Sequence, residues 1–163
     1  MELELKRGGR TARVETLGGE LVSYRDERGL EYIWGGDPAY WPGRNPLLFP
    51  IVGMLKEGKI RFDGREYAME RHGFARRREF TPAARGEDWV RLELRESAET
   101  LALYPYPFRL AVEQRLTDTG FSTAVTVANP GEGPLPFCLG AHTGFRCPLE
   151  AGERFEDYEL VFP

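Results

Sequence analysis

Apolar and polar residues alternate at every second position through much of this chain, and turn-forming residues interrupt the alternation at short intervals. Leu3 and Leu5 alternate with Glu2, Glu4 and Lys6. Val90, Leu92 and Leu94 alternate with Arg91, Glu93 and Arg95, and Phe108, Leu110 and Val112 with Arg109, Ala111 and Glu113. Successive side chains of a strand point to opposite faces, so this period describes strands with one face buried. A further β-rich run, Phe121 to Val127, follows the turn Asp118-Thr119-Gly120. Turn signals recur at Gly8-Gly9, Gly18-Gly19, Asp26 to Gly29, Asp63-Gly64, Gly86-Glu87-Asp88 and Asn129-Pro130-Gly131. Short strands punctuated in this way predict an all-β fold, an antiparallel sandwich or barrel. Helix is confined to two short stretches. Asp37 caps one turn with Pro38 at its first position, and Ser97-Ala98-Glu99-Thr100 starts another.

Length and charge narrow the possibilities. A chain of 163 residues holds one sizeable core, so one domain over 1–163 is expected, and no linker or repeat divides it. With Lys+Arg 22 against Asp+Glu 26 the net charge is -4, which argues against nucleic acid as a partner. No apolar run is long enough to span a membrane, and the alternating MELELKRGG start is no signal peptide, so a cytoplasmic location is expected. Cys138 and Cys147 are too few for a disulfide framework and are read as packing residues. The stretch Asp157 to Pro163 reads as the opening of a strand.

The candidate chemistry lies in Arg44 to Phe80 and in one later segment. The chain has 2 histidines, in His72-Gly73-Phe74-Ala75-Arg76 and in Gly140-Ala141-His142-Thr143-Gly144-Phe145. His72 is either a strand-end histidine bonded to a backbone carbonyl or a site residue. Gly73 permits close approach, Phe74 offers a flat apolar face, and Arg76 offers a fork of donors. His142, bracketed by glycines that predict an unusual backbone, follows the apparently buried run Pro134 to Leu139, a setting that can tune a histidine for acid–base work. Arg44 precedes the apolar run Pro46-Leu47-Leu48-Phe49-Pro50 and is either a solvated loop arginine or a clamp at a pocket mouth. Trp34, Tyr40 and Trp41 either pack in the core or stack on a sugar ring. Arg76-Arg77-Arg78 is a solvated face or, as a minority reading, a phosphate contact. The spacing of His72, His142, Cys138 and Cys147 matches no zinc pattern, so no metal is expected. No serine lies in a Gly-x-Ser-x-Gly elbow.

Together these segments resemble the aldose 1-epimerase (galactose mutarotase-like) family. The matching pieces are Arg44-Asn45-Pro46-Leu47-Leu48-Phe49-Pro50-Ile51-Val52-Gly53, His72-Gly73-Phe74-Ala75-Arg76, Gly140-Ala141-His142-Thr143-Gly144-Phe145 and Glu156-Asp157-Tyr158, with Gly18-Gly19-Glu20-Leu21 similar to the family's N-terminal hairpin. The resemblance implies a large antiparallel β-sandwich and interconversion of the α and β anomers of a free aldose, with no cofactor. A base takes the anomeric hydroxyl proton while an acid protonates the ring oxygen. Carried over, His142 is the general acid, His72 a second polar contact near the ring oxygen, and Arg44 a hydroxyl-binding group. Phe74, Arg76 and Phe145 complete the expected small-molecule sugar site.

The match is partial. By the same resemblance the family's general base is a glutamate in the second half of its sandwich, and this chain covers a little more than the first half. Glu70, Glu153, Glu156 and Asp157 do not stand where the family places that base. The chain is therefore expected to be a truncated or split member, incomplete at the C-terminal side. Its unpaired edges and apolar face would favour a homodimer or a complementing second chain. Two other functions stay open: a non-catalytic carbohydrate-binding module, and a hexose-phosphate 1-epimerase.

Overall fold

The computed structural model describes residues 1–162. Three strands, β1 (Glu2–Arg7), β2 (Arg10–Glu15) and β3 (Glu20–Arg25), form an antiparallel meander in the order β1-β2-β3. The β1–β2 ladder pairs Leu3 with Val14 and Leu5 with Ala12, so the apolar members of both strands share one face and all four are buried. After β4 (Leu47–Leu48) comes the hairpin β5 (Lys59–Phe62) and β6 (Arg65–Ala68), turned by Asp63 and Gly64 at positive φ. A second antiparallel sheet has the order β10-β9-β8-β7, from β7 (Thr81–Arg85), β8 (Trp89–Arg95), β9 (Arg109–Leu116) and β10 (Phe121–Ala128). The last strand, β11 (Gly140–Ala141), pairs with β4.

The apolar faces foreseen along β1, β8 and β9 are those observed, with Leu3, Leu5, Val90, Leu92, Leu94, Leu110 and Val112 buried, as is Phe108 just before β9; Ala111, expected among the outward positions, is buried as well. They join one apolar cluster reaching from Leu3 to Leu116, with Phe49, Phe74, Phe80, Tyr104 and Phe108 at its aromatic centre. Gln114 is buried among them without an unmet bond. Its amide Nε2 donates to the Gly19 carbonyl at 2.9 Å, and its Oε1 accepts from Thr123 Oγ1 at 2.6 Å. Such pairing is what makes a buried amide tolerable. Of the two short stretches, residues 38–40 form a hydrogen-bonded turn and only the second is a helix. Asp37 Oδ1 accepts from the Ala39 amide at 2.8 Å, and α1 (Ala98–Leu101) is opened by a reciprocal Ser97–Thr100 cap.

Three local expectations are corrected. The run Pro134 to Leu139 is not buried: Phe137 and Leu139 are exposed, because the segment lies on the molecule's edge and is tied down chiefly by Cys138 N–H donating to the Pro50 carbonyl at 2.8 Å and by Tyr104 Oη donating to the Pro136 carbonyl at 2.7 Å. Cys138 and Cys147 are free and exposed rather than packed. The expected strand from Asp157 does not form: Asp157 ends a 3-10 turn, residues 158–162 pair with no neighbouring backbone among the described residues, and Pro163 lies outside the described residues. Along β10 the exposed positions Ser122, Thr123, Ala124 and Thr126 leave this outer strand largely uncovered. No helix among the described residues is long and apolar enough to cross a membrane.

Candidate active site

Residues 44–53 form the spine on which both histidines are hung. At its start Glu20 Oε1 accepts the amides of Arg44 and Asn45 at 3.0 and 2.6 Å, fixing the spine to β3. The late segment then runs antiparallel to it. Gly140 pairs with Leu48 and Ala141 with Leu47; beyond the ladder, His142 N–H donates to the Pro46 carbonyl at 3.1 Å and Gly144 N–H to the Arg44 carbonyl at 2.7 Å. Gly144 owes its place to contact rather than to unusual dihedrals. A Cβ there would lie 2.7 Å from the Trp41 ring and 3.0 Å from Trp34 Cβ.

His72 reaches the spine from the other side. Gly73 bridges Phe49 in parallel, and the Phe74 amide donates to the Phe49 carbonyl at 3.0 Å. A Cβ on Gly73 would sit 2.2 Å from that carbonyl oxygen, so only glycine lets the two backbones meet. His72 itself has φ 67, uncommon for a residue with a side chain. Two bonds to one residue hold it there: His72 N–H donates to the Gly53 carbonyl at 2.8 Å, and Gly53 N–H donates to His72 Nδ1 at 3.0 Å. Because Nδ1 is occupied as an acceptor, the neutral ring carries its proton on Nε2. Partial burial first, and then the positive charges of Arg71, Arg76 and the neighbouring His142, lower the His72 pKa below its ordinary value.

The two imidazoles meet. Their ring centroids are 6.4 Å apart, and Trp41 stands edge-on to His142 at 5.0 Å. With Pro46, Leu48, Arg71 and Arg76 they line one open cleft of about 330 Å³. That is at the small end of the roughly 300–1,000 Å³ usual for small-molecule sites. His142 is exposed, and its ring has no hydrogen-bond partner among the described residues.

Other expected site residues lie elsewhere. Phe74 faces the core, 5% exposed, packed on Phe49 and Phe108, and does not line the cleft. The successive positive φ values at His72 and Gly73 turn the chain so that Phe74 follows inward. Phe145 is 55% exposed and pairs by backbone with Ile33, outside the lining. Arg44 serves the spine through its main chain, while its guanidinium lies against Gly36, within 3.1–3.2 Å of where a Cβ would stand there. Arg76 is at the cleft, whereas Arg77 pairs with Glu70 at 2.5 Å and Arg78 with Glu99. Two contributors escaped the sequence reading. No motif singles out Arg71, and Glu20 could be found only by asking what accepts the amides around Arg44. No carboxylate lines the cleft among the described residues. Glu153 and Glu156 engage Tyr158 and Arg154, and Asp157 accepts the Arg154 amide at 2.8 Å.

Antiparallel sheets thus make up a β-rich protein in which two histidines from segments outside the strands meet beside a tryptophan. Residues 1–162 match the family model Aldose 1-epimerase, and the chain belongs to that family. It is 40% identical over 168 residues to the plasmid-encoded protein LacX of Lactococcus lactis subsp. lactis, a match covering 99% of this chain and 56% of that protein. A galactose mutarotase-like protein of Lactobacillus casei superposes with TM-score 0.88 at 33% identity, over 93% of this chain and 52% of that one. A galactose mutarotase related enzyme of Lactobacillus acidophilus gives TM-score 0.93 at 28% identity, over 96% and 53%. The chain thus spans slightly more than half the length of the relatives it matches.

Proposed function

We propose that the cleft between His72 and His142 is the acid side of an aldose 1-epimerase site. The observation that carries this reading is the unlike setting of the two rings. His72 is locked as a neutral Nε2–H donor by its Gly53 bonds, and His142 is exposed without a partner. In ring opening, a base removes the anomeric hydroxyl proton, the bond between the anomeric carbon and the ring oxygen breaks, and the ring oxygen takes a proton from His142. His72 steadies the same oxygen through its donor. Rotation of the aldehyde and the reverse steps give the other anomer, and His142 recovers its proton. Trp41, edge-on to His142, offers an apolar face to the pyranose.

The base has no candidate in the lining, so we assign it to a carboxylate outside the described residues, on further chain, a second chain or a second copy. Support comes from exposed apolar side chains close to the spine, Val52, Met54, Phe137, Leu139 and Phe145, which association would cover. Sedimentation of the purified chain tests the association; a monomer at high concentration refutes a second copy as the source of the base. The missing carboxylate also favours a second reading, a carbohydrate-binding module without catalysis. Polarimetry on freshly dissolved α-glucose and α-galactose separates the two. The enzyme accelerates the drift in rotation above the buffer rate and the module does not. With an active sample, His142→Asn removes the acid and lowers the rate by about 10²–10⁴-fold, leaving the fold intact because the ring is exposed. Full rate in that variant refutes the role given to His142.

A further inference from the structure

The two histidines are held in opposite ways. The His72 ring is tied directly, its Nδ1 accepting from the Gly53 amide, whereas the exposed His142 ring has no partner of its own and takes its aim from its backbone. That backbone is half a ladder. A regular antiparallel pair exchanges two N–H···O bonds at every second residue. Opposite His142 stands Pro46, which accepts from the His142 amide at 3.1 Å and has no N–H to return. Opposite Gly144 stands Arg44, whose carbonyl accepts from Gly144 at 2.7 Å. The Arg44 amide goes to Glu20 Oε1 instead, at 3.0 Å, and the Gly144 carbonyl accepts from Trp34 at 2.9 Å. Each position keeps one cross-strand bond where two are usual.

Between them, the register set by Gly140–Leu48 and Ala141–Leu47 brings Thr143 across from Asn45. This is a non-hydrogen-bonded position, where facing side chains approach most closely. There Thr143 Oγ1 donates to Asn45 Oδ1 at 2.6 Å. Asn45 is itself fixed, because its amide donates to Glu20 Oε1 at 2.6 Å. Neither Thr143 nor Asn45 lines the cleft, as alternation along a paired segment requires of the residue next to His142.

We infer that the Asn45–Thr143 bond is a positioning rung: it supplies the cross-strand tie that the backbone omits and holds His142 edge-on to Trp41 in the cleft. Its catalytic meaning rests on the acid role given to His142 above. Asn45 and Thr143 touch no reacting atom; they act through His142. An acid turned away from the ring oxygen costs rate rather than binding.

NMR of the full chain reads the ring directly, since the 2 histidines give two sets of imidazole resonances and His142→Asn assigns them. The Trp41 ring, 5.0 Å away, displaces the His142 signals. Thr143→Val removes the donor and keeps the branched shape; the His142 signals then move toward those of a free imidazole, while those of His72 stay in place. Asn45→Ala does the same, and the double variant moves them no further than either single one, as one shared bond requires. Thr143→Ser restores them. In polarimetry on α-glucose, Thr143→Val lowers kcat about tenfold, the equivalent of one hydrogen bond, with KM unchanged, and Thr143→Ser recovers it. His142 signals that stay put, additive effects in the double variant, or equal movement of the His72 signals each overturn the rung. Signals that move in an active chain at full kcat overturn its part in catalysis. A chain without activity in which only the His142 signals move keeps the rung and favours the binding module over the enzyme.

Discussion

Replacing Gly73 with alanine places a methyl group where the spine already is. The new Cβ would lie 2.2 Å from the Phe49 carbonyl oxygen, 2.5 Å from its carbon and 2.7 Å from the Pro50 nitrogen, all inside the 3.0 Å that real Cβ atoms keep. These are backbone atoms of a buried segment, so no side chain can swing away. Relief requires separating the two backbones, which breaks the bonds from the Phe74 and Ala75 amides to Phe49, now 3.0 and 3.2 Å long. Two buried bonds at about 1 kcal/mol each, added to about 1–2 kcal/mol for alanine at the φ of +70, give a loss of roughly 3–4 kcal/mol. Gly53→Ala supplies the control. Its φ is +85 but nothing lies within 4 Å of its Cβ position, so it bears the conformational part alone, about 1–2 kcal/mol. Urea unfolding followed by tryptophan fluorescence measures both. Equal losses for the two variants would mean that the contact between Gly73 and Phe49 is not close, and the argument for how His72 is positioned would fail.

Three further outcomes follow from the same geometry. The His72 pKa is lowered on folding, so its neutral form is the stabilised one; its contribution is complete above the unfolded value of about 6.5 and declines as pH falls from there through the lower folded value, after which it is flat. An NMR titration of the His72 ring with a midpoint at or above 6.5 contradicts this. Tyr104→Phe removes the bond to the Pro136 carbonyl, with an expected loss of about 1 kcal/mol and faster hydrogen exchange through residues 134–139; unchanged exchange would show that this tyrosine does not hold the segment. Gln114→Ala leaves the Gly19 carbonyl without its buried donor and should cost about 2–3 kcal/mol in chemical denaturation, whereas a change below about 0.5 kcal/mol, the usual surface value, would mean that water replaces the amide.

Much of the candidate site was legible before any coordinates. Arg44 to Gly53, the His72 segment and the His142 segment are the three pieces that the fold joins, and the glycine beside His72 signalled a close backbone approach. Side-chain direction was not legible. Phe74 sits two residues from His72, which in a regular strand would put both on one face, but positive φ at His72 and Gly73 reverses the sense and sends the ring to the core. Phe145 and the Pro134 to Leu139 run failed for a related reason: apolar character says that a residue can be buried, not that anything is there to bury it.

The pattern of residues alone determined that the chain forms strands and which side of β1, β8 and β9 faces inward, because a period of two is a local property that any sheet must respect. Only tertiary structure decided that two histidines seventy positions apart share a cleft with Arg71 and Trp41. The ladders that join them are a two-residue strand pair and a single parallel bridge, too short to leave a periodic trace, and their register is set by backbone contacts that no side chain announces.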